Sequence, residues 1–365
     1  MMFADFAGNQ RIVAVLRRML ASERMHHALL FQGPVGVGKF TLATLFARAA
    51  NCLARPGEGC PECNSCRALA CLADLEKLRR EALAARGSAS PEAVPLIVRP
   101  HPGVTVLVPD GAFIRVSQMR YLVREAYAMP AGARRSFFLI DQADRLRFDY
   151  ADVLLKVLEE PPASTTLILV THAPFSLRPT IRSRCLPFHF APLAEADIAA
   201  YLRKHKPEWK KTERQLAAAY ADGSLGTALR LDLETFLHLR REALQLLRAA
   251  TGAAHQPSSL FAATATLAGK RGAEREGAGE GRERFEFALD ILYSLLKDTL
   301  YTGVGASPGG LRHPDVRDEV KALSQGIGVC RLRQAVSELD RIHGWQRRNI
   351  NRQLALDAWS LGQRS

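Results

Sequence analysis

Residues 33–41, with the sequence GPVGVGKFT, constrain the fold of this chain more than any other segment. The spacing G-x-x-x-x-G-K is typical of a loop whose backbone N–H groups surround a phosphate, while the lysine reaches the terminal phosphates. The apolar run 28–31 predicts a buried strand before the loop, and the apolar spacing within 42–49 predicts a helix after it. A strand, this loop and a helix in that order predict a nucleotide-binding α/β domain.

The position after the lysine departs from the working motif. A loop that supports hydrolysis has Ser or Thr there, because the hydroxyl binds magnesium, and this chain has Phe40. A phenyl ring cannot bind a metal ion. The loop therefore keeps the groups that bind phosphate but lacks one that positions magnesium.

Two further apolar runs end in polar residues suited to the same site. Residues 137–140 predict a buried parallel strand, and Asp141 after it occupies the place of a magnesium-binding carboxylate. A glutamate that polarises the attacking water is expected next, but Gln142 has no carboxylate to accept a proton. A third strand at 167–170 places Thr171 where it could sense a γ-phosphate.

These departures define a degenerate nucleotide site. We predict that it binds nucleotide weakly or not at all and hydrolyses ATP very slowly, so that ATP and Mg²⁺ are doubtful cofactors. A helix at 153–160, stopped by two prolines, separates the strands, and the alternation predicts a doubly wound parallel sheet. The candidate nucleotide-binding residues are Gly33, Pro34, Val35, Gly36, Val37, Gly38, Lys39, Phe40, Thr41, Asp141 and Thr171.

Four cysteines follow the predicted helix closely. Cys52, Cys60, Cys63 and Cys66 have the spacing C-x7-C-x2-C-x2-C, and four thiolates suit a tetrahedral Zn²⁺ ion. A shell of four sulfurs leaves no place for water or substrate, so we predict a structural zinc module at about 51–71. Cys71 could replace Cys66 as the fourth ligand, although helical spacing favours a buried thiol there.

Composition bounds the remaining possibilities. The 365 residues suffice for two or three domains, 47% are apolar, and no run is long enough to span a membrane. Residues 1–10 lack the pattern of a signal peptide, which predicts a cytoplasmic protein. The net charge of +13 would attract polyanions such as DNA, but a solvated basic surface without a partner explains it equally well.

Several blocks of sequence together carry a resemblance to a known family. They are HHALLFQGPVGVGKFT, the four-cysteine cluster, FFLIDQADRL, LLKVLEEPP, LVTHAP and IRSRC. With them the chain resembles the clamp-loader branch of the AAA+ family, and within it the delta-prime type of subunit of bacterial DNA polymerase III.

The resemblance implies a role and partners. In this family the Ser-Arg-Cys motif, here with Arg184, presents an arginine to ATP held by the neighbouring subunit. A lid-domain position that is arginine in active subunits is Gly226 here, which agrees with an inactive site. The implied partners are gamma/tau-like and delta-like subunits in a hetero-pentamer, the sliding clamp, and primer-template DNA reached through the complex.

The resemblance also implies three domains. They are an AAA+ domain at 1–191, a small helical lid at 192–231 and an all-α collar at 232–365. Apolar stripes at 289–296 and 332–342 suit collar helices, and 349–357 is similar to the last one. The segments at about 72–100 and 269–284 are too polar to build a core, and we predict mobile insertions there.

Three functions remain open at this point. The first is a clamp-loader subunit with neither polymerase activity nor appreciable ATPase activity, which completes the ring and lends Arg184 to a neighbour. The second is an ATP-hydrolysing gamma/tau-type motor subunit, against which Phe40, Gln142 and Gly226 all argue. The third is a stand-alone zinc-containing DNA-binding protein, suggested by the charge and the cysteines, although no recognition helix is evident.

Overall fold

The computed structural model describes residues 2–128, 132–147, 151–250, 257–269, 278–305, 310–326, 328–345 and 350–362. The chain divides into two compact units. The first comprises Met1–Asp197 with Ser224–Gly226, and the second comprises Ile198–Gly223 with Thr227–Ser365. This division does not separate a lid at 192–231 from a collar at 232–365, so those boundaries stay predictions.

The first unit is built on a six-stranded sheet with the order β2-β3-β4-β5-β1-β6. Its strands are β1 Ala28–Gln32, β2 Ile97–His101, β3 Val104–Leu107, β4 Ser136–Ile140, β5 Thr165–Thr171 and β6 Leu186–His189. β2 pairs with β3 in the antiparallel sense, and every other pairing is parallel. The predicted parallel α/β sheet is confirmed, with an antiparallel edge strand added.

Helices cover both faces of this sheet. They are α1 Gln10–Ser22, α2 Lys39–Ala50, α3 Asn64–Ala70, α4 Leu75–Arg86, α5 Val116–Ala126, α6 Ala151–Glu159 and α7 Pro179–Arg182. On one face, Phe46 of α2 packs edge-on against Phe137 of β4, with ring centroids 5.8 Å apart. On the other, Leu122 of α5 and Leu154 of α6 lie in one core with Phe138 of β4. The strands are buried on both faces, as their continuous apolar runs predict.

The segment 72–100, which we predict to be a mobile insertion, contains α4 and leads into the sheet. Its last residues form part of β2, which pairs with β3. Arg86, at the end of α4, donates to the buried carboxylate of Asp110 at 2.5 Å, and the Pro91 carbonyl accepts from the Ser117 hydroxyl at 2.9 Å. Although α4 buries none of its residues fully, charge pairing and backbone hydrogen bonds fix the segment to the sheet domain.

The second unit is helical throughout the part of it that the structure describes. Its elements are α8 Glu195–His205, which begins in the first unit, α9 Lys211–Tyr220, α10 Leu225–Arg230, α11 Leu233–Ala250, α12 Pro257–Leu267, α13 Ala278–Gly303, α14 Arg317–Gly326, α15 Val329–Trp345 and α16 Arg352–Gly362. None of the helices in the described ranges is both long and apolar enough to cross a membrane.

The predicted apolar stripes form the core between α13 and α15. Leu289, Leu292, Leu332 and Leu339 are all buried, and the two helices are in contact. Within the segment that we predict to be mobile, 278–284 lies in α13, and 270–277 lies outside the described residues. The predicted last helix corresponds to α16, although Asn349 lies outside the described residues.

A buried polar cluster joins α13 to the segment before α14. The Asp298 carboxylate accepts from the backbone N–H groups of Arg312 and His313 at 3.0 and 2.8 Å. The His313 ring is fully buried, lies flat against Phe236 and shares a hydrogen bond with Ser294 at 2.8 Å. Burial lowers the pKa of His313 to about 3, so the ring is neutral in the folded protein.

This histidine predicts a pH dependence of stability. Below pH 6.5, the ordinary pKa of histidine, His313 binds a proton in the unfolded chain but stays neutral in the folded chain. The stability of the folded protein is therefore unaffected by His313 protonation above pH 6.5, and it declines as the pH falls from 6.5 towards 3. The contribution of His313 to the unfolding free energy should decline by about 1.4 kcal/mol per pH unit below pH 6.5.

Chemical denaturation of the wild type and of His313→Gln between pH 7.5 and about 5 measures this contribution. The glutamine variant should lose that part of the pH slope although it is less stable at neutral pH. Parallel slopes for the two proteins would contradict the assignment.

Candidate functional site

The loop between β1 and α2 has the backbone of an anion cradle. Gly36 and Gly38 have φ values of 78° and 90°, a region that residues with side chains rarely adopt. A Cβ atom at Gly38 would lie 2.9 Å from the ring of Phe6, so the position also lacks room for a side chain. Because α2 begins at Lys39, its unpaired first-turn N–H groups face the loop.

The side chain of Lys39 turns back onto this loop. It is only 7% exposed, and its Nζ donates to the carbonyl oxygens of Gly33 at 2.7 Å and Pro34 at 2.5 Å. Burial lowers the pKa of Lys39 to about 8, against the raising effect of Asp141 and Asp144. The amine that would reach a phosphate is thus held by the loop's own carbonyl oxygens.

Asp141 follows β4, as the sequence predicts. Burial raises the pKa of its carboxyl group, while hydrogen bonds from Gln142 and the charge of Lys39 lower it. Gln142 has a φ of 49°, and its side-chain amide donates to Asp141 Oδ2 at 3.4 Å. The residue in the place of a general base therefore donates a hydrogen bond to the carboxylate and offers no group that would take a proton from water.

A second carboxylate, Asp144, belongs to this site and was missed by the sequence reasoning. It accepts a hydrogen bond from the Thr171 hydroxyl at 2.7 Å and lies 3.3 Å from His172 Nδ1. Thr171 is only 1% exposed, and its oxygen also accepts from the backbone N–H of Ala173 at 3.0 Å. While these bonds hold, the hydroxyl proton is not available to a γ-phosphate.

Gly226 lies against the phosphate loop within the first unit. Its backbone N–H donates to the carbonyl oxygen of Gly36 at 2.8 Å. A Cβ atom at position 226 would lie 3.1 Å from that same oxygen. A side chain would press on the loop, so glycine permits this contact where arginine would have to displace it.

Arg184 follows α7 and comes directly before the buried Cys185. Its side chain is 37% exposed. One terminal nitrogen donates to the carbonyl oxygen of Thr180 at 2.9 Å, and the other lies 2.8 Å from a carboxylate oxygen of Glu159. The structure therefore places Arg184 at the surface with its guanidinium held by two acceptors of its own chain.

The four predicted cysteine ligands converge on one point. Their sulfur atoms all lie within 4.8 Å of one another in Cys52, Cys60, Cys63 and Cys66. The Sγ atom of Cys52 lies 3.6 Å from that of Cys60 and 3.9 Å from that of Cys63. A tetrahedral zinc ion with sulfur ligands at about 2.3 Å requires sulfur separations of about 3.8 Å, so the spacing fits this ion.

The surrounding backbone also suits thiolates. Backbone N–H groups donate to all four sulfurs, from Arg55 to Cys52, from Cys60 to Cys66, from Cys63 to Cys60 and from Cys66 to Cys63. Although burial raises it, backbone hydrogen bonds from Cys66 and Leu53 and hydrogen bonds with the thiols of Cys60 and Cys66 lower the pKa of Cys63 to about 6. The cluster could hold a metal ion, with outer donors that stabilise the charge on sulfur.

Cys71 lies apart from this cluster. Its thiol donates to the Ala68 carbonyl at 3.0 Å, and the residue is exposed, so the expectation of a buried thiol is wrong. The structure brings Cys66 and not Cys71 to the other three cysteines.

A comparison with protein families decides where the chain belongs. A family model described as DNA polymerase III, delta subunit, matches residues 8–194, just over half of the chain. The chain belongs to this family. The matched residues include the phosphate loop, the cysteine cluster and Arg184.

Both delta' and tau/gamma proteins are among the curated relatives of this family member. DNA polymerase III subunit delta' of Bacillus subtilis is 30% identical over 183 residues, 50% of this chain and 47% of that protein. DNA polymerase III subunit tau/gamma of Haemophilus influenzae is 32% identical over 204 residues, 55% of this chain and 25% of that protein. The tau subunit of Escherichia coli is 32% identical over 241 residues, 63% of this chain and 32% of that protein.

The chain thus spans between a quarter and half of the length of these three relatives. A solved gamma subunit-related protein from Thermotoga maritima covers 96% of this chain and 98% of its own, with 17% identity and a TM-score of 0.40. A TM-score of 0.40 is too low to support a fold assignment. The assignment of the α/β sheet domain rests instead on its strand order and register.

The convergence of the four cysteines predicts that a single substitution abolishes metal binding. Replacing Cys63 by alanine removes one of four converging sulfurs, so zinc content should fall from about one ion per chain to near zero. Metal analysis of the purified proteins measures this, with Cys71→Ala as the matched control that keeps its zinc. Stoichiometric zinc in Cys63→Ala would refute the ligand assignment.

Proposed function

We propose that this chain is a delta-prime-type subunit of a DNA polymerase III clamp loader. In this role it completes the ring of subunits and supplies Arg184 to ATP bound by a neighbouring subunit. It would thereby help to load the sliding clamp on primed DNA in the cytoplasm. Its own site would contribute little or no hydrolysis, and its four cysteines would hold a structural zinc ion.

The position of Arg184 on the sheet carries this proposal. The phosphate loop, Asp141 and Thr171 lie at the carboxyl ends of parallel strands, whereas Arg184 precedes β6 at the amino ends. Leu186 pairs with Leu29, four residues before the loop begins, which is about 13 Å along a strand. An arginine side chain at the amino edge does not span the sheet, so its guanidinium suits a site on another molecule.

The chemistry of phosphoryl transfer gives that guanidinium a use. Negative charge builds up on the transferring γ-phosphoryl group and the leaving oxygens as ATP is hydrolysed, and an arginine inserted from a second protein neutralises it. Such a residue is worth about 10³- to 10⁵-fold in rate in other phosphoryl-transfer systems. Arg184 is 37% exposed, so it is accessible to a neighbour.

The state of the chain's own pocket supports the assignment to a non-hydrolysing subunit. Lys39 is held by loop carbonyls, Thr171 is held by Asp144, and Gln142 stands where a base is required. Phe40 follows the lysine in place of a magnesium-binding hydroxyl. The magnesium-binding hydroxyl and the general base are thus both replaced in this chain.

A second candidate is an ATP-hydrolysing gamma/tau-type subunit of the same assembly. The observation that favours it is the similarity to tau and tau/gamma proteins at 32% identity. The two candidates differ in whether the chain itself turns over ATP, since an arginine at the amino edge of the sheet would serve both.

The proposed role predicts the effect of removing the guanidinium. A loader reconstituted from Arg184→Ala and unaltered partner subunits should still assemble, because the side chain is at the surface. Its DNA-stimulated ATP hydrolysis should fall by about tenfold or more, because charge on the transferring group is no longer neutralised. Steady-state phosphate release with primed DNA and the clamp measures this.

Arg18→Ala is the matched control, because it removes an exposed arginine from α1. Its loader should hydrolyse ATP at the wild-type rate. Unchanged turnover in the Arg184→Ala loader, with assembly shown by gel filtration, would rule out the role in trans.

A further inference from the structure

Two glutamates end α6, where negative charge is unfavourable. Glu159 is the last residue of the helix and Glu160 follows it, before the two prolines that stop the helix. The helix dipole places partial negative charge at this end, so carboxylates here need compensation. The two residues look equivalent in the sequence, but the structure gives them different surroundings.

Only one of the two carboxylates meets the guanidinium of Arg184. An oxygen of Glu159 lies 2.8 Å from an Arg184 terminal nitrogen. The contact of Glu160 with a neighbour is made by its backbone, whose carbonyl accepts from the Tyr127 hydroxyl at 3.2 Å. The chain thus offers a pair of adjacent exposed glutamates, of which Glu159 contacts Arg184 through its carboxylate.

The contact fixes the plane of the guanidinium as well as its position. One terminal nitrogen is bound to Glu159 and the other to the Thr180 carbonyl at 2.9 Å. Two acceptors on different nitrogens prevent rotation about the end of the side chain. Since a guanidinium has five N–H donors, the remaining donors are left for an incoming oxyanion.

The residues next to Glu159, Arg184 and Thr180 are buried in the core. Leu158, directly before Glu159, and Cys185, directly after Arg184, are 3% and 6% exposed and belong to the same hydrophobic cluster. Ile181, next to Thr180, lies in that cluster as well. The Thr180 carbonyl therefore belongs to backbone next to the core, and the Glu159 carboxylate extends from a helix end that is packed there, which favours a defined geometry at Arg184.

Stability does not explain the pair. Both side chains are substantially exposed, at 37% for Arg184 and 50% for Glu159, and exposed ion pairs contribute little to folding. Neutralising the helix end would not need this geometry either, because any cation near the last turn would serve. The consequence specific to this arrangement is the orientation of the guanidinium.

We propose that Glu159 is a positioning residue that holds the Arg184 guanidinium ready to enter the nucleotide site of a neighbouring subunit. This inference rests on the role of Arg184 in trans. Without the carboxylate the side chain samples several rotamers, and only a fraction of the encounters place it on the γ-phosphoryl oxygens. The partner for the Arg184 guanidinium is an ATP-bound subunit whose phosphates are open to this surface.

Glu159→Gln tests the proposal in the reconstituted loader, with Glu160→Gln as the matched control. Both variants remove one negative charge from the same end of α6, but only the first weakens the contact with Arg184, because a neutral amide oxygen replaces the charged carboxylate oxygen there. Glu159→Gln should lower kcat for DNA-stimulated ATP hydrolysis by up to about tenfold, and by no more than Arg184→Ala does, with KM for ATP unchanged. Glu160→Gln should match the wild type, and all loaders should assemble equally.

A double variant separates positioning from a general structural effect. If Glu159 acts through Arg184, adding Glu159→Gln to Arg184→Ala should cause no further loss of kcat. A further loss in the double variant, an equal loss in Glu160→Gln, or a gain in Glu159→Gln would each overturn the inference. Wild-type rates for Glu159→Gln would also overturn it.

The role of Arg184 in trans and the positioning role of Glu159 are refuted by different results. An Arg184→Ala loader with normal turnover refutes the role in trans and this inference with it. A defective Arg184→Ala loader beside a normal Glu159→Gln loader refutes only the positioning role.

Discussion

The parallel pairing of β1 with β5 on one side and β6 on the other is the constraint on which the functional arrangement depends. Because the strands run the same way, everything that follows a strand lies at one edge of the sheet, and everything that precedes a strand lies at the opposite edge. The phosphate loop and Thr171 therefore share the carboxyl edge. Arg184, which precedes β6, is assigned to the amino edge by the same pairing.

This separation gives the two edges different chemical characters. At the carboxyl edge, polar groups that would act on a nucleotide form hydrogen bonds within the chain. Lys39 binds loop carbonyls and Thr171 binds Asp144. At the amino edge the Arg184 guanidinium keeps donors to spare and is partly exposed. Under the proposed function, such a domain would act on a nucleotide that another subunit holds.

Local patterns in the sequence were enough to predict the parts of the fold that depend on short-range order. The strand, loop and helix around Lys39 and the four clustered cysteines follow from spacing alone. β2 was missed because it follows a charged segment, and its place at the sheet edge depends on pairing with β3. Burial of Asp110 with Arg86, which ties that segment down, joins residues 24 positions apart and leaves no local signal.

The candidate site shows the same limit. Asp141 is recognisable because it ends an apolar strand, whereas the role of Asp144 depends on a hydrogen bond to the neighbouring strand β5. In the motif LLKVLEEPP nothing separates Glu159 from Glu160, and only the packing of α6 beside α7 selects one of them for Arg184. Contacts of this kind depend on which elements are neighbours in space, which a single sequence does not encode locally.

The central claim is that the pocket of this chain no longer hydrolyses ATP. Phosphate release by the purified chain alone, measured beside Lys39→Ala to account for contaminating enzymes, tests it most directly. The account predicts that both proteins release phosphate at the same background rate. Steady release by the wild type that disappears in Lys39→Ala would contradict it and would identify the chain as a motor subunit.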